Sequence, residues 1–212
     1  MDRPPVREWF SGVRRSFARY LKPYAGRPIT YVEIGNWCGD SALWVCENVL
    51  THKASLGIGI DPYMPMGKHD EDRIEQVYEY MQHQLGAYRA AGRWRHIRDK
   101  SQNVLRDWNV EWCSRKIDVL YIDGAHEAHS ALLDFCYAFP LLKKGSLVIF
   151  DDYSIGLRKG VPHVPQAVDA VLSCFSPFVE LLGKGRQAYV SIAREPSIGE
   201  YMLKEVADAV TG

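Results

Sequence analysis

Apolar residues follow two different spacings along this chain, and the two alternate. Five short segments with dense apolar or branched residues predict strands, at positions 29–35, 55–61, 94–99, 117–123 and 146–152. The last two are nearly continuous apolar runs, which are typical of central parallel strands covered on both faces. Apolar residues spaced three or four apart predict helices between these strands, at 40–51, 70–92, 101–108 and around 132–139.

The first of these helices has Asp40 or Ser41 available as its N-cap. In the last, Leu132, Phe135, Cys136 and Phe139 would face the sheet. Near the C-terminus, the segment 178–193 predicts a hairpin around Gly183 and Gly185. The alternation predicts an α/β fold with a doubly wound, mostly parallel sheet of seven strands that ends in an antiparallel hairpin.

The chain of 212 residues has the length of one domain, which we place at 1–212. Its arginine-rich start also carries Asp2, Glu8 and two early prolines, so we expect residues 1–28 to form a helical segment beside the domain rather than a transit peptide.

Composition excludes several classes of partner. The 26 basic residues balance the 26 acidic ones, which argues against a nucleic-acid partner. No apolar run has the length of a membrane span, so we expect no membrane partner. The five cysteines are scattered without a CxxC pair, so they favour neither a zinc site nor a disulfide framework. We therefore expect a protein of the reducing cytoplasm.

The most informative turn lies in the stretch YVEIGNWCGDSALW, residues 31–44, where the first strand passes into the first helix. Glu33, Gly35 and Gly39 lie in this turn, and Asp61 ends the second strand, where a carboxylate can accept the ribose hydroxyls of a cofactor. These features fit NAD and S-adenosylmethionine equally. Trp37, however, stands where a GxGxxG motif has its second glycine, which disfavours the close approach of a pyrophosphate. Glu33 suits the cationic amino-acid end of S-adenosylmethionine.

Three carboxylates end the next two strands: Asp123 the fourth, and Asp151 and Asp152 the fifth. Side chains at the ends of adjacent parallel strands can converge, and such close carboxylates repel one another unless a cation or a shared proton intervenes. An all-oxygen ligand set suits a hard cation such as magnesium. The alternative is that Asp151 or Asp152 only caps the following loop.

A histidine, His126, follows three residues after Asp123. It could take a proton from an acceptor at neutral pH, or it could cap the helix that starts nearby. His129 and His163 are weaker candidates, the first on a helix surface and the second without a fixed position.

Several motifs resemble those of catechol O-methyltransferase in order along the chain, from about Tyr31 to Tyr153. EIGNWCGDSA resembles its first motif, GIDPY its ribose-binding motif and SQNVL its adenine-contacting Ser-Gln pair. YIDGAH and KKGSLVIFDDY resemble its two metal-bearing strand ends. The same motifs are also similar to those of the macrocin-type sugar O-methyltransferases.

The resemblance implies a class I, Rossmann-like methyltransferase fold and S-adenosylmethionine as cofactor. It implies cofactor contacts at Glu33, Gly35, Asn36, Trp37, Ser41, Asp61, Ser101 and Gln102. It also implies a metal site at Asp123, Asp151 and Asp152, where the catechol family carries Asp, Asp and Asn, and a base at His126, where that family carries lysine.

We therefore expect a metal-dependent O-methyltransferase, with Asp123 and His126 as catalytic residues, that acts on a sugar, a phenol or catechol, or a related metabolite. A binding protein without catalysis and an NAD-dependent oxidoreductase are the alternatives. The acceptor pocket would be built by the segments 9–24, 61–72 and 151–165. The resemblance is compatible with a homodimer and does not require one.

Overall fold

Seven strands form one sheet in the order β3-β2-β1-β4-β5-β7-β6. The computed structural model describes residues 1–65, 69–108, 113–156 and 163–195. The strands are β1 Thr30–Ile34, β2 Leu56–Ile60, β3 Trp94–Ile97, β4 Ile117–Ile122, β5 Leu142–Phe150, β6 Val179–Lys184 and β7 Ala188–Ile192. Strands β1 to β5 are parallel, and β7 runs antiparallel to both β5 and β6. The predicted doubly wound sheet with a final antiparallel hairpin is confirmed.

Eight helices connect or flank these strands in the described part of the chain. They are α1 Arg14–Leu21, α2 Asp40–Asn48, α3 Glu71–Gln84, α4 Gly86–Ala90, α5 Ser101–Arg106, α6 Ala128–Ala138, α7 Tyr153–Gly156 and α8 Val164–Cys174. Short 3-10 turns lie at Phe10–Gly12, Lys22–Tyr24 and Phe139–Leu141. No helix among the described residues is long and apolar enough to cross a membrane.

The core forms two layers, one on each face of the sheet. On one face α1, α2 and α3 contribute buried residues such as Phe17, Val45 and Val77. On the other face α5, α6 and α8 contribute residues such as Val104 and Val168. Both faces of the central strands are therefore covered, which explains why β4 and β5 are almost continuously apolar.

Four local predictions were wrong, one of them that Cys136 would face the sheet, since this side chain is exposed on α6. The predicted helix over 70–92 is two helices, because the chain turns at Leu85 and buries that side chain. The N-cap of α2 is Gly39, with a φ of 80°, rather than Asp40 or Ser41. Gly183 lies within β6 rather than in the hairpin turn, and a Cβ there would lie 2.1 Å from the hydroxyl of Tyr20.

The N-terminal segment contains helix α1, which packs against the sheet. Phe17 of α1 contacts the ring of Tyr121 edge-on, with 4.9 Å between the ring centroids. Tyr20 stacks on Tyr189 of β7 at 3.7 Å. Helix α1 thus lies over strands β4 and β7, close to where β4 ends in Asp123.

Candidate active site

The turn between β1 and α2 brings the end of β1 against the end of β4. Gly35 has a φ of 85°, and a Cβ at this position would lie 2.1 Å from the backbone oxygen of Asp123. A side chain is therefore excluded on both conformational and steric grounds. Trp37 also takes a left-handed conformation, with a φ of 44°. The glycine that the sequence singled out is what lets the two strand ends meet.

Glu33 lies beneath this turn and is completely buried. Its carboxylate accepts hydrogen bonds from Tyr31 Oη at 2.6 Å, Asn36 Nδ2 at 3.0 Å and Ser41 Oγ at 2.6 Å. Burial raises the pKa of Glu33 to about 7, although these three donors act in the opposite direction. In this structure Glu33 and Ser41 fix the shape of the turn from below.

Asp61 ties the end of β2 to the same turn. Its Oδ2 accepts the backbone N–H groups of Asn36 at 2.9 Å and Trp37 at 3.2 Å, and its Oδ1 accepts that of Tyr63 at 2.9 Å. Burial raises the pKa of Asp61, while these backbone donors lower it. A carboxylate has about four acceptor positions, so Asp61 can still accept a further hydrogen bond.

Two atoms of the turn are buried without a hydrogen-bond partner among the described residues, Asn36 Oδ1 and Trp37 Nε1. Buried polar groups are usually paired. The carbonyl of Trp37 accepts from Tyr63 Oη at 2.6 Å, and its ring contacts that of His69. The predicted contact residues therefore form one turn, made of Gly35, Asn36 and Trp37. This turn has one acceptor and one donor that are still unpaired within the described part of the chain.

The predicted pair Ser101 and Gln102 begins α5, at the carboxyl end of β3. Both side chains donate to one oxygen of Asp134 on α6, Ser101 Oγ at 2.5 Å and Gln102 Nε2 at 2.6 Å. Burial raises the pKa of Asp134 to about 6. Asp134 was not predicted as a site residue, although its signal was present: it lies with Ala131, Phe135 and Ala138 on the buried face of α6.

Asp123 and Asp151 meet at the ends of β4 and β5, where their carboxyl groups are close enough to interact directly. Burial, and next the negative charge of Asp151, raise the pKa of Asp123 well above its ordinary value. Two carboxyl groups this close share a proton unless a cation lies between them.

Asp152 takes a different direction from its neighbour. Its φ is 52°, and its Oδ2 lies 2.9 Å from Nδ1 of His126. The hydrogen bond to Asp152 raises the pKa of His126 above its ordinary value, against the effect of burial. Among the described residues, no group of three or more His, Cys, Asp or Glu side chains is arranged to hold a metal ion. The predicted three-carboxylate set is thus present as the pair Asp123–Asp151, while Asp152 is paired with His126.

A shallow cleft opens above these residues. It is lined by Ile122, Asp123, Gly124, Ala125, His126, Asp151, Asp152 and Val164. All four polar residues that the sequence placed at the strand ends therefore face one opening. His163 lies at its edge, where its Nδ1 is 2.9 Å from the backbone oxygen of His126, and His129 is exposed on α6.

A buried polar layer that the sequence did not predict supports the carboxylate pair. Gln187, in the turn before β7, donates through Nε2 to Asp151 Oδ1 at 2.6 Å and to Tyr121 Oη at 3.3 Å. Tyr121 in turn donates to Asp123 Oδ2 at 3.0 Å. Tyr189 donates to Gln187 Oε1. The orientation of both carboxylates therefore depends on the C-terminal hairpin.

Two parts of the predicted acceptor pocket, residues 66–68 and 157–162, lie outside the described residues. Of the described parts, Asp151, Asp152 and Val164 line the cleft.

Comparison with known proteins gives a family match over more than half of the chain. Residues 32–153 match the family described as "Methyltransferase domain". An uncharacterised protein of Acanthamoeba polyphaga mimivirus is 28% identical over 145 residues, which are 68% of this chain and 60% of that protein. The chain thus matches over less than two thirds of the length of this curated relative.

Several solved methyltransferase structures have the same fold at low sequence identity. CalS11, a TDP-rhamnose 3'-O-methyltransferase of calicheamicin biosynthesis, gives a TM-score of 0.61 at 16% identity, over 88% of this chain and 81% of that one. An O-methyltransferase from Bacillus cereus, in complex with SAH, gives 0.64 at 14% identity, over 90% and 84%. MycE of mycinamycin biosynthesis, solved with Mg, SAH and mycinamycin VI, gives 0.62 at 16% identity, over 92% and 53%.

Proposed function

The chain belongs to the methyltransferase-domain family, and from this membership we propose that it transfers a methyl group from S-adenosylmethionine to a hydroxyl of a small molecule. The observation that carries the proposal is the position of two sets of polar groups along one edge of the sheet. The turn held by Glu33 and Asp61 lies at β1 and β2, and the carboxylate pair lies next to it at β4 and β5. In open α/β sheets this edge, where the strand order reverses, is where ligands bind.

The first turn fits the methyl donor. S-adenosylmethionine would supply an activated methyl group on a sulfonium. Asp61 retains acceptor capacity for a ribose hydroxyl, and Asn36 Oδ1 and Trp37 Nε1 offer one unpaired acceptor and one unpaired donor. Glu33 and Ser41 would act by holding the turn, since both are engaged beneath it.

The cleft at β4 and β5 fits the acceptor. His126 Nδ1 bonds to Asp152, which leaves Nε2 as the ring nitrogen that can take a proton. Asp152 would hold the ring in position and stabilise its protonated form, as a carboxylate does for a catalytic histidine. We assign the role of base to His126 and a positioning role to Asp152. Asp123 and Asp151 would face the hydroxyl to be methylated.

We further propose that a divalent cation such as magnesium takes part. The donor set fits a hard cation, because Asp123 and Asp151 offer two buried oxygen ligands that otherwise share a proton. These two residues would hold the ion, and Asp152 could join them only by leaving His126. A bound cation would lower the pKa of the acceptor hydroxyl. MycE, one of the proteins with the same fold, was solved with Mg.

The acceptor class we propose is a small hydroxylated metabolite, such as a sugar, a phenol or a catechol. The three carboxylates and the histidine among the lining residues of the cleft support it, as does the substrate named for one protein of the same fold, a TDP-rhamnose 3'-O-methyltransferase. The cytoplasmic location, the absence of nucleic-acid and membrane partners, and the oligomeric state stay predictions.

Two measurements test the proposal. Calorimetric titration with S-adenosylhomocysteine and with NAD separates a methyltransferase from an oxidoreductase, and we expect binding of the first only. Incubation with S-adenosylmethionine labelled in its methyl group, with catechols and nucleotide sugars as acceptors, separates an enzyme from a binding protein. Binding of NAD in place of S-adenosylhomocysteine would contradict the proposed reaction.

A further inference from the structure

Asp134 is a buried carboxylate that holds two side chains at the start of α5. It is 2% exposed, and one of its oxygens, Oδ1, accepts from both Ser101 Oγ and Gln102 Nε2. No lysine, arginine or histidine among the described residues forms an ion pair with it. A Cβ at Gly124, at the end of β4, would lie 4.0 Å from its other oxygen, Oδ2. Asp134 thus lies directly behind the edge of the sheet at which ligands bind.

These hydrogen bonds determine what Ser101 and Gln102 can offer to a ligand. A carboxylate only accepts hydrogen bonds, so Ser101 uses its single O–H as the donor to Asp134. The lone pairs of Ser101 Oγ remain available to accept a hydrogen bond from a ligand. The amide of Gln102 must direct Nε2 toward Asp134, which turns its Oε1 away. Oε1 forms no hydrogen bond with a described residue, and the side chain is half-buried. The pair therefore presents acceptors on the side away from Asp134.

The order of the strands indicates which part of the methyl donor meets these acceptors. The acceptor cleft lies at β4 and β5, the first turn at β1 and Asp61 at β2. The backbone N–H of Asp61 donates to the carbonyl of Ile97 at 3.2 Å, so the end of β3 lies directly beside Asp61 along the same edge of the sheet. A donor with its methyl group at the cleft and its ribose at Asp61 extends its purine toward α5.

We propose that Asp134 is a positioning residue that fixes Ser101 and Gln102 as hydrogen-bond acceptors and thereby selects a purine with an amino group at C6. The inference rests on the proposed function, because it needs the donor to lie along this edge. A purine that carries a carbonyl at C6 instead places an acceptor oxygen against the acceptor oxygens of Ser101 and Gln102, so no hydrogen bond can form at that position. Sites built for a particular hydrogen bond reject analogues that cannot make it, since a buried polar group then stays unpaired.

The test compares S-adenosylhomocysteine with its deaminated analogue S-inosylhomocysteine, by calorimetric titration of the full chain. We expect the wild type to bind the amino form at least about 30-fold more tightly. Asp134→Leu frees the amide of Gln102 to turn and should lower this ratio by about tenfold or more. Asp134→Asn keeps an acceptor oxygen for both donors, so its ratio should stay within about threefold of the wild type. Asp169→Leu, at an exposed position of α8, is the matched control.

The ratio of the affinities for S-adenosylhomocysteine and S-inosylhomocysteine is a readout that would not change if Asp134 had a purely structural role. An Asp134→Leu protein that binds S-adenosylhomocysteine with the wild-type ratio would overturn the inference, as would a wild type without preference. If Asp134→Leu does not fold, Gln102→Met on the half-buried surface of α5 takes its place and should lose the preference; a retained preference overturns the inference. A wild type that does not bind S-adenosylhomocysteine overturns the proposed function instead.

Discussion

Asp152 gives His126 a negatively charged partner, and this changes how the histidine would act as a base. The hydrogen bond to Asp152 raises the pKa of His126, so the neutral, proton-accepting form becomes dominant only at a higher pH than for an ordinary histidine. The pair explains why a carboxylate is useful at this position even though it does not join Asp123 and Asp151.

The first prediction follows from this pair. The rate of methyl transfer should rise with pH through the raised pKa of His126 and then level off. Asp152→Asn removes the negative charge and should shift this limb to lower pH, whereas His126→Ala should remove the limb and lower kcat by about 10²–10⁴-fold. Rates measured between pH 5 and 9 provide the check, with His129→Ala on the exposed face of α6 as control. An unshifted limb in Asp152→Asn would mean that another group is titrating.

Glu33 carries the second prediction, which concerns stability in the absence of ligands. Its pKa is about 7 in the folded protein and near 4.5 in the unfolded chain, so the folded state binds the proton more tightly. This contribution to the free energy of unfolding is fully present below pH 4.5 and is lost as the pH rises through 7. Between pH 5 and 8 the wild type should therefore lose about 2–3 kcal/mol more than Glu33→Gln. Urea unfolding at the two pH values measures this, and the same loss in both proteins would contradict it; Glu79→Gln, at an exposed position of α3, is the control.

At the scale of elements, the turn between β1 and α2 is the tightest junction around the site. Gly35 lies against the backbone of Asp123, and backbone cannot move away as a flexible side chain can. The turn thus fixes the spacing between β1, which carries the proposed donor site, and β4, which carries the acceptor site.

We therefore predict that Gly35→Ala is far more damaging than alanine at another glycine of the same backbone conformation. Gly92, after α4, has a φ of 68° but nothing within 4 Å of its added Cβ, so Gly92→Ala should cost only the conformational strain of about 1–2 kcal/mol. Gly35→Ala adds the clash and should cost a further 1–3 kcal/mol or so, with loss of S-adenosylhomocysteine binding. Thermal unfolding and calorimetry of both variants compare the two costs. Equal destabilisation would show that the contact with Asp123 is unimportant.

Helix α3 illustrates how far the elements could be predicted from the sequence. Its apolar spacing is a local signal, and it predicted the start of the helix correctly. Its end at Gln84 depends on the burial of Leu85, which only the packed core determines. The position of Gly183 within β6 depends likewise on Tyr20, 163 residues earlier in the chain.

At the scale of the whole molecule, the two halves of the proposed site lie side by side along one edge of the sheet and use different residues. The donor half at β1, β2 and β3 contains none of the carboxylates of the acceptor half at β4 and β5. We therefore predict that exhaustive treatment with EDTA stops methyl transfer while the affinity for S-adenosylhomocysteine stays within a few-fold. Asp151→Asn should have the same effect, and Asp169→Asn none. Full turnover after chelation would rule out the proposed role of a divalent cation.

The positions of the candidate site could be predicted because the end of each parallel strand points to one edge of the sheet. Asp61, Asp123 and Asp151 all reached that edge through this rule alone. The hydrogen-bond partners of the site residues could not be predicted, because they come from distant parts of the chain. Gln187 lies 36 residues after Asp151, and Asp134 lies 33 residues after Ser101. No local spacing links such pairs.

The hydrogen bond from Gln187 to Asp151 has a consequence for the order in which the protein becomes functional during synthesis. A ribosome releases residues 31–134, which include the turn, Asp61, the start of α5 and Asp134, before it releases β7. A nascent chain that ends before β7 therefore contains every residue named for the proposed donor half, whereas Asp151 still lacks the side chain that orients it. The acceptor half is completed only when the last hairpin joins the sheet, so the carboxylate pair is the last part of the proposed site to receive its partners.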